Sequence, residues 1–351
     1  NNIPQPIKYK LQEKYGYLIE CIDSIYNKCD YVIDGISKNV QAYEIESPKM
    51  TLTGSLETQG FDLEMTINGE MKFADMNFFK GLSNSGKGSF DESSNIYTLN
   101  SSDGTKYEYN VVNGKLSINE KNSSVLFGIY VPENTDNLSK LNTITFLHGD
   151  ESSFGGSFDK THNIVESSIS NCPSNSILIF PQCNTQQNPG KGFIPYSDDV
   201  VSGTKFVKEL TSQDSSQSNA LVGFSSGFKS SYKIAASNEG NDVYDTVVGI
   251  NGYMEDITIS EQKNLMDKDL YMYVARDECS GVAWERRMDS LDTVNKNGLK
   301  PRIITGSEQY LNRAVEYGMD AKFVNDKNFV GHGNGCQYAI KNMDVLNCFK
   351  G

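Results

Sequence analysis

The stretch Leu221-Val222-Gly223-Phe224-Ser225-Ser226-Gly227 decides how the chain is read. A short apolar run leads into G-x-S-x-G, and a helical pattern over 228–236 follows it. By itself the five-residue motif is weak in a chain this rich in Gly and Ser. The strand before it and the helix after it give it weight. A sharp strand-to-helix turn would expose the Ser225 hydroxyl at the carboxyl end of a sheet. The first N–H of the new helix, that of Ser226, would then point to where an oxyanion could form.

Working outward, further apolar runs at 125–132, 142–147, 176–181, 246–250 and 270–275 read as buried strands. Helical patterns over 201–210 and 282–294 lie between them. Buried strands separated by helices predict an α/β domain with a mostly parallel sheet covered on both faces. The run at 142–147 ends in His148-Gly149-Asp150, a turn whose Gly149 or Asp150 N–H could face the same oxyanion as Ser226. There are only three histidines, and His332, in Val330-Gly331-His332-Gly333-Asn334-Gly335, alone follows Ser225. It is the expected base, on what reads as a Gly-rich loop. His148 is expected to hold its own turn by hydrogen bonds, and His162 to be structural. The acid should leave a strand between Ser225 and His332. Asp277, just past 270–275, is favoured, with Glu278 and Glu308 as rivals.

The first third of the chain reads differently. Tyr15, Leu18, Ile22, Ile25, Cys29, Val32 and Ile36 recur at helical spacing, which predicts an amphipathic helix within 11–36. Period-two alternation follows in Met50, Leu52 and Leu56, then in Phe61, Leu63, Met65 and Ile67. Asn68-Gly69, Asp103-Gly104 and Asn113-Gly114 supply turn signals. The expectation is three parts: a helical segment over 1–44, a small antiparallel β domain over 45–122, and an α/β domain over 123–351. Gly81–Gly88 nearly spells a phosphate-binding loop, but Gly88 replaces the hydroxyl that would meet Mg²⁺ and no buried strand precedes it. It reads as a hairpin loop.

Composition narrows the classes. A net charge of −13 removes the electrostatic basis for binding nucleic acid, and no apolar run approaches the ~20 residues of a membrane helix. Seven cysteines cannot all pair, and their scatter predicts mostly free, buried thiols with no zinc spacing. Cys279 and Cys336, close in sequence to Asp277 and His332, are the one pair whose loops could meet. A chain that starts at Asn1 is expected to be a processed product, secreted or at the cell surface, with the cytoplasm as the other option.

With these residues in place, 125–351 resembles the α/β-hydrolase superfamily, in particular its esterase-D, feruloyl-esterase and polyhydroxybutyrate-depolymerase-like branch. The segments that carry the likeness are Phe127–Pro132, Thr145–Gly149, Ile177–Gln182, Gly223–Gly227, an acid and Gly331–Gly333. The resemblance implies a Ser225–Asp277–His332 triad, an acyl-serine intermediate, no metal or organic cofactor, and an acylated carbohydrate or a short-chain ester as substrate. A peptidase or thioesterase would use the same groups. Trp284 and the tyrosines could border a carbohydrate, although a core role is favoured. Phe228 stands where the branch often has a second Gly, and Asp150-Glu151 puts acid beside the hole. These departures keep a second reading open, a surface- or particle-associated binding protein that retains the fold without turnover. The N-terminal region could dock to substrate or to another subunit.

Overall fold

The computed structural model describes residues 36–37, 40–47, 50–57, 60–67, 71–133, 135, 137–150, 163–185, 190–279 and 281–347; up to residue 67, and at 163, 279, 281 and 282, it describes the backbone alone. The chain divides into two units, Asn1–Glu70 and Met71–Gly351.

In the first unit, β1 (Ile36–Ser37), β2 (Val40–Ser47), β3 (Met50–Glu57) and β4 (Gly60–Ile67) form an antiparallel sheet in that order. Register pairs Met50 with Ile67, Leu52 with Met65 and Leu56 with Phe61, so the two alternating apolar sets oppose one another. Strand structure begins before residue 44, inside the segment expected to be helical. The remainder of the helix expected over 11–36, and the Asn68-Gly69 turn, lie outside the described residues.

The second unit begins with β5 (Met71–Phe73), α1 (Met76–Asn84), β6 (Ser89–Asp91), β7 (Ile96–Asn100), β8 (Lys106–Asn110), β9 (Lys115–Ile118) and the long β10 (Lys121–Pro132). Then follow β11 (Asn142–Leu147), α2 (Asn163–Asn171), β12 (Ser176–Gln182), α3 (Ser197–Thr211), β13 (Asn219–Phe224) and α4 (Ser226–Ala236). The chain ends with β14 (Thr246–Ile250), α5 (Ile259–Met266), β15 (Asp269–Val274), α6 (Gly281–Lys296), β16 (Arg302–Thr305), α7 (Glu308–Glu316), β17 (Ala321–Phe323) and α8 (His332–Asn342).

All its strands form one sheet in the order β17-β16-β15-β14-β13-β11-β12-β10-β9-β8-β7-β6, with β5 beside β10. From β12 to β17 neighbours are parallel, while β10 meets β12 antiparallel and the strands beyond it stay antiparallel. A boundary near residue 122 was expected, but β9 pairs with β10 across it within this sheet. The hairpin signals were local, whereas the pairing that joins these strands to the parallel ones depends on register with β12, a long-range contact.

Every residue of β11, β12, β13 and β14 is buried, as a parallel strand covered on both faces requires. Side chains alternate between two cores: Ala220, Val222 and Phe224 face one and Leu221 the other. The first core packs residues of α2 and α8. The second packs α3 through α7, with Trp284 partly buried against it, the core role favoured for it. Gly81–Gly88 proves to be the end of α1 and a turn into β6, a helix-to-strand order opposite to that of a phosphate loop and not a hairpin loop.

Candidate active site

At the carboxyl end of β13 the backbone turns sharply: Ser225 has φ 59° and ψ −120°, and its N–H donates to Ile250 O at 3.0 Å. A positive φ at a non-glycine residue costs on the order of 1–3 kcal/mol and persists only when the surroundings enforce it. The two motif glycines are that surrounding. A Cβ on Gly223 would fall 1.9 Å from Gly227 O, and one on Gly227 would fall 2.5 Å from Leu147 O. Strand, turn and helix therefore pack with no room for a methyl group.

His332 is the first residue of α8, so the expected Gly-rich loop is a helix start; Gly331 before it has φ 84°. Gly335 allows the close approach, because a Cβ there would lie 2.7 Å from Ala275 Cβ at the end of β15. This brings Nε2 of His332 to 2.8 Å from Ser225 Oγ and Nδ1 to 2.9 Å from Glu278 Oε1. The imidazole also lies against the Phe224 ring, with centroids 4.8 Å apart.

Asp277, the favoured acid, is not on the imidazole. Its Oδ1 accepts the Gly331 N–H at 2.5 Å, while Glu278, its rival, takes the ring nitrogen. Past β15 the chain enters a 3-10 turn, Arg276–Cys279. Three residues per turn send neighbouring side chains about 120° apart, so the two carboxylates diverge. Glu308 opens α7 beyond β16 and borders a cleft with Arg276. Glu278 is buried, and burial pushes its carboxyl up. The hydrogen bond and charge of His332, followed by those of Arg287, outweigh burial and leave it below the ordinary range.

On the other side of Ser225, a Cβ on Gly149 would come within 2.7 Å of Ser225 Cβ, so the turn after β11 lies directly against the hydroxyl-bearing residue. His148 is fully buried and braces this turn, as expected of it: Nδ1 lies 2.8 Å from Gly149 O, and Nε2 accepts the Cys183 N–H at 3.4 Å. Those two partners require the neutral tautomer with its proton on Nδ1. The Asp150 carboxylate accepts the Gly190 N–H at 2.9 Å through Oδ2. Ser226 is buried at the start of α4, one residue past Ser225. His162 lies outside the described residues.

Two residues that the sequence reading passed over complete the site. Asn251, fully buried at the end of β14 with φ 47°, donates from Nδ2 to His332 O at 2.8 Å and accepts the Ala275 N–H on Oδ1 at 2.9 Å. Arg287 on α6 donates through one terminal nitrogen to Glu278 Oε2 at 2.5 Å and to Asn251 O at 3.1 Å. One signal was available for Arg287. It stands four and seven residues before Leu291 and Val294, which puts a guanidinium on the buried stripe of its helix. The Cys336 thiol is free and fully buried, so the suspected pairing with Cys279 does not occur; burial pushes the thiol far up. Among the described residues, no group of three His, Cys, Asp and Glu side chains is placed to hold a metal, and no helix is long and apolar enough to cross a membrane.

The arrangement can move a proton from Ser225 Oγ to an imidazole whose far nitrogen rests on a buried carboxylate. No protein-family model matches the chain, and no curated protein matches it in sequence. Solved structures to which the chain is similar include an α/β-hydrolase enzyme from a Medee basin deep-sea metagenome library, 13% identical, covering 64% of this chain and 93% of that one with a TM-score of 0.40. A fungal esterase from Rhizomucor miehei is 16% identical over 72% of this chain and 82% of its own, with a TM-score of 0.37. Carboxyl esterase 2 from Tuber melanosporum is 12% identical over 65% and 82%, with a TM-score of 0.35. What identifies the fold is the molecule itself. A parallel stretch of seven strands flanked by helices carries a strained serine on the turn after a central strand, and this is an α/β-hydrolase fold.

Proposed function

We propose that the protein is a serine esterase, with Ser225 as nucleophile, His332 as general base and acid, and Glu278 in place of Asp277 as the residue that orients the imidazole. The observation that carries this reading is the unbroken chain Ser225 Oγ–His332 Nε2–Nδ1–Glu278 Oε1, at 2.8 and 2.9 Å, on a strained elbow. Ser225 attacks the ester carbonyl as its proton passes to Nε2. The carbonyl oxygen becomes an oxyanion, and the N–H groups of Ser226 and of the Gly149–Asp150 turn are the donors proposed to hold it. His332 then protonates the leaving alcohol and an acyl-serine remains. Water enters, gives its proton to His332, attacks the acyl carbon and releases the acid, restoring Ser225. Glu278 stays ionised throughout and stabilises the imidazolium. Its low position on the pH scale favours that state.

The branch resembled points to acylated carbohydrates or short-chain esters as substrates. Labelling with a fluorophosphonate probe at near-neutral pH tests the mechanism: the native chain should form an adduct and Ser225→Ala should not. An unlabelled native chain would leave the hydrolase fold as a binding scaffold. If labelling succeeds, a series of p-nitrophenyl esters of increasing acyl length then separates short-chain from longer-chain preference.

A further inference from the structure

We propose that Arg287 is a positioning residue for this site: its buried guanidinium orients the Glu278 carboxylate, ties it to the residue that holds the His332 backbone, and offsets its charge. The geometry forms a closed circuit. One terminal nitrogen of Arg287 donates to Glu278 Oε2 at 2.5 Å and to Asn251 O at 3.1 Å. Glu278 Oε1 meets His332 Nδ1 at 2.9 Å, and Asn251 Nδ2 returns to His332 O at 2.8 Å. Acid and base are thus each fastened to the same asparagine, one through Arg287 and the other through the backbone. Both partners of the ion pair are nearly sealed from water, with side-chain exposures of 6% for Arg287 and 9% for Glu278. A buried ion pair does not on average stabilise a fold more than apolar residues would, so stability alone does not account for this one.

Its placement has an electrostatic consequence. A lone buried carboxylate against an imidazole strengthens the pair's hold on a proton, while an adjacent guanidinium weakens it. The sign is the same whether Glu278 or His332 holds that proton, because the two titrate as a unit. The other charged groups around the pair, among the described residues, are peripheral. Arg276 and Asp277 on the acid's own turn are exposed, as are Arg286 on α6 and Glu308 on α7. Asp277 is occupied by the Gly331 N–H, and Arg286 lies over the Tyr253 ring. The turns after β13 and β14 bring Ser225, Asn251 and Tyr253, without a charged side chain against the pair. The amino end of α8, on which His332 sits, acts in the same direction as Arg287.

The catalytic side of this inference rests on the serine-esterase reading, but the electrostatic side does not, and the test separates them. The His332 ring signal is followed by NMR against pH in the native chain and in Arg287→Met and Arg287→Lys; His332→Ala identifies it among three histidines. Arg287→Met should raise the titration midpoint by about one pH unit, while the charge-conserving lysine should leave it near the native value. In kinetics on p-nitrophenyl acetate, the acid limb of kcat/KM should move up with the midpoint, and kcat should fall with KM little changed. A purely structural role would lower Tm without moving the titration. A folded Arg287→Met that titrates like the native chain overturns the proposal. If that variant does not fold, Glu278→Gln is compared with Glu278→Gln/Arg287→Met, in which both charges are gone. A higher midpoint in the double variant supports the proposal, and equal midpoints overturn it. Failure of Ser225 to label would remove the esterase reading and leave the titration result standing.

Discussion

On one side of β12 the strands of the large sheet run parallel, and helices return the chain between them. On the other, β10 to β6 run antiparallel and are joined by turns as short as Asn119–Glu120. In the parallel half every strand ends at the same edge. Four exits there, after β11, β13, β14 and β15, deliver Gly149, Ser225, Asn251 and Glu278 to one place. In the antiparallel half successive strands end at opposite edges, so consecutive turns cannot pool their side chains. Its residues go instead into packing. Tyr97, Leu99, Tyr107 and Tyr109 alternate inward, and Tyr107 and Tyr109 lie 5.5 and 5.4 Å from the Phe206 ring of α3. Strand direction thus separates the candidate site from its support within one continuous sheet. Substitutions at the parallel edge should remove turnover and mostly leave stability, and substitutions in the antiparallel half should do the reverse.

The largest effect is expected from Ser225→Ala, which should lower kcat/KM for p-nitrophenyl acetate by at least about 10⁴-fold. Its melting temperature should stay close to the native value, since alanine keeps the Cβ and no hydrogen bond that holds the fold is lost. Residual turnover near the native rate would end the division between the two halves, because the parallel edge would then hold no indispensable group.

Next comes a contrast between neighbours. Glu278→Gln should cost about 10³- to 10⁴-fold in kcat/KM, because it removes the charge that stabilises the imidazolium. Asp277→Asn should cost on the order of tenfold or less, because an amide oxygen can still accept the Gly331 N–H. The reverse ranking would return the acid role to Asp277.

How much of this could be read from the sequence depends on how local each decision is. The elbow was legible because strand, motif and helix are contiguous, so a few residues carry the whole signal. His332 was legible by scarcity, although its helix was hidden by glycines at 331, 333 and 335, which ordinarily disfavour one. Between the two neighbouring carboxylates the sequence favoured Asp277, whereas Glu278 meets the imidazole, because position along a strand exit says nothing about the rotation a 3-10 turn adds. Asn251 stands just past the apolar run 246–250 and Arg287 within the helical pattern 282–294, and neither was singled out from the sequence. Their partners are 81 and 9 residues away, respectively, in His332 and Glu278, and meet them only when the strand exits converge. The hairpins of 89–118 were legible as hairpins, but the sheet they join was not, since that requires the register of β10 on β12.

In the antiparallel half, Phe206→Ala should destabilise the protein by about 3–5 kcal/mol, through a cavity beneath Tyr107 and Tyr109. Urea titration measures the loss. The kcat of the fraction still folded at 25 °C should match the native value, and a large fall in kcat would mean that this half supports the site more directly than the sheet's layout implies.

The smallest effect concerns acid stability and sharpens the one place where chemistry and support overlap. The Glu278 carboxyl is held below its ordinary value in the folded chain, so the native state binds the proton less readily than the unfolded one. Its contribution to stability is therefore fully present above the unfolded value of about 4.3 and is lost as pH falls through the folded value. Glu278→Gln cannot titrate and loses this dependence, whatever its absolute stability. Urea unfolding between about pH 4.5 and pH 3 should show the native chain losing stability more steeply than the variant. All other carboxylates are common to both proteins and cancel in the difference. Equal slopes throughout would mean that His332 and Arg287 together only balance the burial of Glu278, and the site would then be electrostatically independent of the fold around it.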